Sequence, residues 1–191
     1  MVFEELTQAI RVLMVSEFQA EQSSSICAAY RPKVLTLAGE NIFCSTMEEH
    51  LASGDESSLA IALSPSAYWV ERGIRNTKKG PISYTLSGHQ RAKVFAITDF
   101  NTWYVRALCK QLMNEGVETC EVYRAQYAYE PRGACLLLEG KLINVKALYE
   151  GHRSRYHPAL TSNPSALSVP AGPNCHHSVR RAKFRGGNSL Q

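Results

Sequence analysis

Carboxylates and tyrosines near the ends of predicted strands are the side chains in this sequence best suited to chemistry. The stretch GDESSLAIAL, residues 54–63, places Asp55 and Glu56 directly before a short apolar run. A carboxylate at the mouth of a strand binds a cationic small molecule well when the site is partly closed to water. We therefore interpret Asp55 as a solvated loop residue and Glu56 as the candidate ligand-holding carboxylate. The other acidic candidates are Glu48, Glu49, Glu71, Glu118, Glu121 and Glu130.

Familiar catalytic and metal-binding signatures are absent from the sequence. It contains no phosphate-binding loop, dinucleotide-binding turn, zinc-protease helix or serine-hydrolase elbow. Its six cysteines form no C-x-x-C pair, and most lie in apolar segments, as buried and reduced thiols do. Cys175, His176 and His177 are adjacent, but no second ligand pair accompanies them. The sequence therefore predicts no metal and no cofactor, and no motif in it pairs a nucleophile with a base.

The composition is that of a globular protein. Of 191 residues, 45% are hydrophobic, and no run of eighteen apolar residues occurs. The first residues include acids where a secretory signal needs basic side chains. These features predict a cytoplasmic protein, in a host cell, that spans no membrane.

Charge and composition divide the chain into two predicted parts. Residues 151–191 contain six Lys or Arg residues and no acid, so within a net charge of +4 the first 150 residues carry −2. Prolines, serines and glycines crowd this end of the chain, and such a composition buries too little apolar area to fold. We predict one α/β domain over residues 1–156 and a disordered basic tail over 157–191. Its cations are either a solvated cluster or nucleic-acid contacts: Arg180, Arg181, Lys183 and Arg185.

An internal similarity indicates two β-α-β units. Residues 57–88 and 92–126 each suggest a strand, a helix and a second strand, with AYWV and TWYV 35 residues apart at matching places. Ser64 and Asp99 are the predicted N-caps of the two helices, and Gly116 is the predicted stop of the second. The paired aromatic residues are predicted to be core side chains, with a base-stacking platform as the alternative.

Predicted hairpins complete the expected fold. The strands at residues 82–86 and 93–97 would pair across SGHQRA, and TCEVYRAQYAY would pair with ACLLLEGKLINV around EPRG. The segment IRVLMV adds a strand, and SSSICAAYRPKVLTLAG adds a helix. Together these elements predict a ferredoxin-like α/β sandwich.

The early part of the chain resembles a known family. VLMVSEFQAEQSSSICAAYRPKVLTLAGENI, residues 12–42, is similar to the opening of the phage-encoded enzymes that degrade S-adenosylmethionine, which are lyases formerly called hydrolases. The matching positions are Val15, Ser16, Phe18, Glu21 and Arg31. ESSLAI and GPISYTLSGHQRAKV resemble the family's glutamate-led strand and the strand pair that follows, so the match covers about residues 10–95. In a second register, EVYRAQYAYEPRGACLLL takes the place of the final hairpin.

The resemblance implies a mechanism and an assembly. S-adenosylmethionine would fold so that its own carboxylate attacks the carbon beside the sulfonium, giving homoserine lactone and methylthioadenosine without a cofactor. Glu56 would hold the sulfonium and ammonium, and Tyr84 would help to orient the substrate. The implied substrate-binding residues are Ser16, Phe18, Phe43 and Tyr68. The protein would be a homo-oligomer, a trimer in that family, with its site between subunits.

Two other functions fit the same sequence. The first is a viral accessory protein that binds nucleic acid or a host partner through the basic tail. The second is a purely structural oligomer whose open sheet edges pair between subunits.

Overall fold

A long helix, α4 (Gly88–Asn114), forms the centre of the fold. The computed structural model describes residues 1–23, 34–77, 79–85, 87–131, 133–155, 169 and 175–183. The remaining helices are α1 (Gln8–Ser23), α2 (Leu37–Ser53), α3 (Glu56–Ala62), α5 (Gly133–Leu136) and α6 (Val145–Arg155). The strands are β1 (Arg72–Thr77), β2 (Gly80–Thr85), β3 (Thr119–Arg124), β4 (Leu142–Asn144) and β5 (His177–Arg181). One turn of 3-10 helix, Ser66–Tyr68, precedes β1.

The hydrophobic core surrounds the second half of α4. Every residue from Asp99 to Cys109 is buried, because α1, α3, α6 and β5 all pack against this helix. Helix α2 packs in turn on α1 and α3. Aromatic rings meet edge to face between these layers: the ring centroids of Phe18 and Trp103 are 5.2 Å apart, and those of Phe43 and Phe95 are 5.6 Å apart. A helix buried on all sides in this way is a core element.

The strands form two small antiparallel sheets. Strands β1 and β2 make a two-stranded hairpin, and β4, β3 and β5 make a three-stranded sheet in that order. In the second sheet Cys120 lies opposite Ile143, and Val122 lies opposite Val179. The coarse α/β class is therefore confirmed. The described residues contain no four-stranded sheet, so the ferredoxin-like sandwich is not confirmed.

The first predicted β-α-β unit is wrong in its first two elements. Residues 56–62 form α3 instead of a strand, because a capping box between Asp55 and Ser58 starts a helix there. Leu59 and Leu63 lie one turn apart and are both buried, as a helix face requires. The predicted helix over AYWV is reduced to the single 3-10 turn, and Ser64 caps no α-helix.

The second predicted unit is also wrong at its start. Residues 93–97 belong to α4, whose N-cap is Ser87, and SGHQRA is the beginning of that helix instead of a hairpin loop. Ser87 and Gln90 form the capping box, so Asp99 lies inside the helix and is no cap. Ala92, Ala96 and Phe100 continue the buried face at a spacing of four residues, which the continuous apolar run VFAI at residues 94–97 conceals.

Other predicted elements have mixed outcomes. The segment IRVLMV is part of α1 instead of a strand, because Ile10, Met14 and Phe18 bury one helix face. Gly116 follows α4 with a φ of 73°, which confirms the predicted helix stop. Strand β3 pairs with β4 in the segment ACLLLEGKLINV as predicted, but the predicted hairpin around EPRG is wrong, because α5 forms there and the pairing joins residues 119–121 to 142–144. The predicted helix around SSSICAAYRPKVLTLAG falls largely on residues 24–33, outside the described residues.

The prediction of a disordered tail is wrong for residues 175–183. Strand β5 pairs with the whole of β3 except Thr119, and its residues His177, Ser178 and Val179 are buried. The tail's composition did not reveal this strand because its partner, β3, lies more than fifty residues earlier. Apart from Val169, the rest of the predicted tail lies outside the described residues.

A buried ion network fixes α1 against α4. The Arg106 guanidinium contacts the Glu21 carboxylate and lies 3.2 Å from that of Glu17. Lys110 Nζ is 2.6 Å from Glu17 Oε1, and the Tyr149 hydroxyl on α6 donates to the same carboxylate at 2.9 Å. We call these five residues the Arg106 network. Each of its acids faces a cation, so the network sets the register of the two helices.

Candidate functional site

Glu56 is the first residue of α3, and its local structure follows from the residues around it. The Asp55 carboxylate accepts a hydrogen bond from the Ser58 amide at 2.7 Å, and Ser58 Oγ accepts one from the Asp55 amide at 2.9 Å. Asp55 is exposed and lies just outside α3, as predicted for a solvated loop residue, and this capping box shows that it is also the N-cap of the helix. The hydrogen bond from the Ser58 amide lowers the pKa of the Asp55 carboxyl below its ordinary value. Glu56 is then held at a fixed place beside the cap.

A cavity of about 300 Å³ lies between α3 and α4 beside Glu56. Helix α3 contributes Glu56, Ser57, Ala60 and Ile61, and α4 contributes His89, Lys93 and Ile97 at a spacing of four residues. Met1 and Gln126 complete the described lining. Small-molecule pockets span about 300–1,000 Å³, so this volume admits a small ligand or one part of a larger one. We call this space the Glu56 cavity.

The Glu56 carboxylate binds a cation in this structure. Glu56 is 8% exposed, and its Oε1 contacts the α-amino group of Met1. Burial lowers the pKa of that amino group below its ordinary value, and the nearby Asp55 charge opposes this effect. On the α4 side of the cavity, Lys93 supplies a positive charge and His89 a second titratable group. The cavity therefore has a carboxylate on one wall and an ammonium on the other, with apolar side chains between them.

The other predicted site residues do not gather around Glu56. Tyr84 lies on β2, where the Arg91 guanidinium stands 5.8 Å from its ring centre, and it is not among the described lining of the cavity. Phe18 and Phe43 are core residues with ring centroids 6.3 Å apart. Ser16 is exposed on α1, and Tyr68 is half-buried in the 3-10 turn. Of the residues that the resemblance implies, only Glu56 borders this cavity.

The described cations of the predicted tail are paired with acids of the same chain. Arg180 lies 2.6 Å from Glu4 and 2.9 Å from Glu121. Arg181 contacts Glu115 at 2.6 Å, and Lys183 lies 3.8 Å from Glu4. Hydrogen bonding to Glu121 raises the pKa of Arg180, as expected for an ion pair. These contacts hold β5 in place, and Arg185 lies outside the described residues.

Sequence reasoning missed His89 and Lys93 as possible ligand contacts. Their segment was interpreted as a hairpin loop and a strand, which would place them on unrelated surfaces. The signal that identifies them is helical: residues 89, 93 and 97 recur every four positions and therefore share one face of α4.

Comparison with known proteins gives no assignment. No family model, no curated protein and no solved structure matches this chain. Among the described residues, no group of three or more His, Cys, Asp or Glu side chains is arranged to hold a metal ion. No helix in that part of the chain is long and apolar enough to cross a membrane.

Proposed function

We propose that the Glu56 cavity binds the amino-acid portion of a small cationic ligand, and that this ligand is S-adenosylmethionine. The observation that carries the proposal is the contact between the buried Glu56 carboxylate and an ammonium group at the edge of an open cavity. The choice of S-adenosylmethionine among such ligands comes from the residue types at ESSLAI; the resemblance implies a strand after the glutamate, whereas this segment forms α3.

The charges of the cavity complement an α-amino acid. A ligand ammonium or sulfonium would take the place of the Met1 amino group on Glu56, and a ligand carboxylate would face Lys93. Hydrogen bonds to charged groups contribute about 1.5–3 kcal/mol each when water is largely excluded. Ala60, Ile61 and Ile97 would contact the carbon chain between these groups. The nucleoside would extend beyond the cavity, since the volume admits only part of the ligand.

The proposed reaction is an intramolecular displacement within the bound ligand. The carboxylate oxygen attacks the carbon beside the sulfonium, the carbon–sulfur bond breaks, and sulfur leaves with the bonding pair as neutral methylthioadenosine. The other product is homoserine lactone, and no proton moves. Such a step needs its reacting groups held in line more than it needs an acid or base, so the roles of Glu56 and Lys93 are to bind and orient the two charged ends.

Calorimetric titration with two ligands tests the binding site. S-adenosylmethionine should bind at least about tenfold more tightly than S-adenosylhomocysteine, which lacks the sulfonium charge. Glu56→Gln should weaken S-adenosylmethionine binding about 10- to 100-fold, because the amide carries no charge. Glu49→Gln is the matched control, since Glu49 is exposed on α2, and it should leave binding unchanged. Equal binding of the two ligands, or no binding at millimolar concentration, would contradict the proposal.

The implied trimer has a test of its own. Static light scattering of the purified chain should give three times the monomer mass of 21.2 kDa. A mass equal to the monomer would remove the between-subunit site that the resemblance implies, while leaving the Glu56 cavity as a site within one chain.

A second candidate function is favoured by one other observation. Residues 72–85, the β1–β2 hairpin, contain four Lys or Arg residues and no acid, and the side chains of Arg72 and Lys79 are exposed. An acid-free basic arm suits contact with nucleic-acid phosphates. Arg72→Ala combined with Lys79→Ala should therefore weaken binding of labelled single-stranded RNA at low salt. If the double variant binds as the wild type does, the hairpin has no such role.

A further inference from the structure

Cys175 and His177 lie where the chain enters β5, and hydrogen bonds hold the backbone of this segment in place. The His177 carbonyl accepts a hydrogen bond from Asn101 Nδ2 at 2.8 Å, and Ser178 Oγ donates to Asn101 Oδ1 at 2.7 Å. The His176 carbonyl accepts from the amides of Ala125 and Gln126 at 2.8 and 3.2 Å. Helix α4 and the segment after β3 therefore both fix the backbone of residues 176–178. A site built on such a backbone keeps its geometry.

Three side chains in this segment and beside it form a chain of hydrogen-bonding contacts. Cys175 Sγ lies 3.8 Å from His177 Nδ1, and His177 Nε2 lies 3.4 Å from Glu139 Oε1. The carboxylate can only accept, so Nε2 carries the proton and Nδ1 presents its lone pair to the thiol. Nucleophile, base and orienting carboxylate stand in the same order in enzymes that use an activated thiol, where such contacts are often long before a ligand binds. We call these three residues the Cys175 triad.

The three residues of the triad differ in how far they are exposed to solvent. His177 is 1% exposed, whereas Glu139 is 33% exposed and also contacts the Arg124 guanidinium. Cys175 is half-buried, so a small reagent can reach it. A cavity of about 190 Å³ lies beside the histidines and is lined by Arg124, Ala128, Glu130, Pro131, Cys135, His176 and His177. His177 is almost fully buried although it borders this cavity, whereas Cys175 is partly exposed and is not among the described lining.

We propose that Cys175 is a nucleophilic thiol that reacts with small disulfides, that His177 is its base, and that Glu139 is a positioning residue for His177. His177 takes the thiol proton, and the thiolate attacks one sulfur of the disulfide. The sulfur–sulfur bond of the reagent breaks, a mixed disulfide forms on Cys175, and the leaving thiolate receives the proton from His177. One thiol and one disulfide give one mixed disulfide and one new thiol, so no further oxidant is needed.

Disulfide exchange fits this site better than acyl transfer does. An acyl intermediate needs amide donors for its oxyanion. The amides of Ala125 and Gln126, which face this segment, already donate to the His176 carbonyl. Disulfide exchange needs only a thiolate and a proton for the leaving sulfur, and the Cys175 triad supplies both. The proposal concerns a part of the molecule separate from the Glu56 cavity and stands independently of the function proposed there.

The test measures the reaction rate of each cysteine separately. The native protein is treated with an aromatic disulfide, quenched at intervals and mapped by peptide mass, from pH 5 to pH 9. Cys175 should react at least about tenfold faster than the half-buried Cys44 at pH 7. Cys175→Ser should abolish the fast phase, and Cys44→Ser should leave it unchanged.

Variants of the partners assign the roles within the triad. His177→Asn should slow Cys175 about tenfold or more at pH 7 and change the dependence of its rate on pH. Glu139→Gln should slow it less and change that dependence in the same direction, which a merely structural contact would not do. If His177→Asn does not fold, the ratio of the Cys175 and Cys44 rates in the wild type decides. A Cys175 rate equal to that of Cys44 would overturn the proposal.

Discussion

The Arg106 network and the Glu56 cavity both hold ionised groups away from water, but they complete their ion pairs in different ways. In the Arg106 network, helices α1, α4 and α6 bring the partners together, and Lys110 and Tyr149 are partly exposed, Lys110 with 34% of its side chain. At Glu56 the partner is the amino group at one end of the chain, and open space lies beside the pair. We infer from this comparison that the open space beside its buried charge is what marks Glu56, and not the Arg106 network, as the candidate binding site.

The electrostatics of Glu17 support the structural role of the network. Burial by itself would raise the pKa of the Glu17 carboxyl. Hydrogen bonds from Lys110 and Tyr149 and the charge of Arg106 outweigh that effect, and the pKa is lowered below its ordinary value of 4.5. A carboxyl that stays ionised in the interior because of fixed partners contributes to folding stability above its unfolded-state pKa.

The largest expected effect is a difference in folding stability between a variant of the Arg106 network and a variant of the Glu56 cavity. Arg106→Met should lower the free energy of unfolding by about 3–5 kcal/mol, because it leaves Glu21 buried without its guanidinium. Glu56→Gln should lower it by about 1 kcal/mol or less, since the amide can still accept a hydrogen bond from the Met1 amino group. Urea denaturation measures both values. Equal losses for the two variants would break the distinction between structural network and binding site.

A smaller effect depends on pH and sharpens the account of Glu17. At pH 7, Glu17→Gln should destabilise the protein by about 1–3 kcal/mol. The native pKa of Glu17 is lower than the unfolded value, so the wild type has this advantage in full above pH 4.5 and loses it as the pH falls through the native pKa. Denaturation curves of both proteins between pH 3 and pH 7 test this. A difference that stays constant down to pH 3 would mean that the charge of Glu17 is not what stabilises the fold.

The smallest expected effect concerns the cap that places Glu56. Asp55→Ala should cost about 1 kcal/mol of stability, because the Ser58 amide loses its acceptor at the start of α3. Asp55→Asn is the matched control and should cost only a few tenths of that, since asparagine also caps helices well. Thermal unfolding followed by circular dichroism gives both values. If alanine and asparagine behave alike, the capping box does not determine where α3 begins.

Local patterns predicted the elements whose partners are near in sequence. The apolar spacing from Phe100 to Leu112 indicated the second half of α4, and Gly116 marked its end. The pairing of β3 with β4 was predicted from two β-prone segments, although the turn expected between them is followed by α5. The first half of α4 was missed because residues 94–97 are a short apolar run typical of a buried strand, and the cap at Ser87 shows that the helix begins earlier.

Long-range contacts account for what the sequence did not predict. The sequence around β5 has the composition of a disordered tail, and the segment is ordered because it pairs with β3. Glu139 lies 38 residues before His177, so no spacing motif joins the members of the Cys175 triad. Likewise, Glu56 was singled out from its local sequence, but its partner Met1 is 55 residues away. Side chains that are so far apart in the sequence are brought together by packing around α4.

The most direct test of the proposed function is product formation from S-adenosylmethionine. The purified wild type at micromolar concentration is incubated with the substrate, and methylthioadenosine and homoserine lactone are followed by liquid chromatography with mass detection. The proposal predicts that both products accumulate in equal amounts, at a rate that falls at least about tenfold in Glu56→Gln and is unchanged in Glu49→Gln. No product above the non-enzymatic breakdown of the substrate, or equal rates for Glu56→Gln and the wild type, would contradict it.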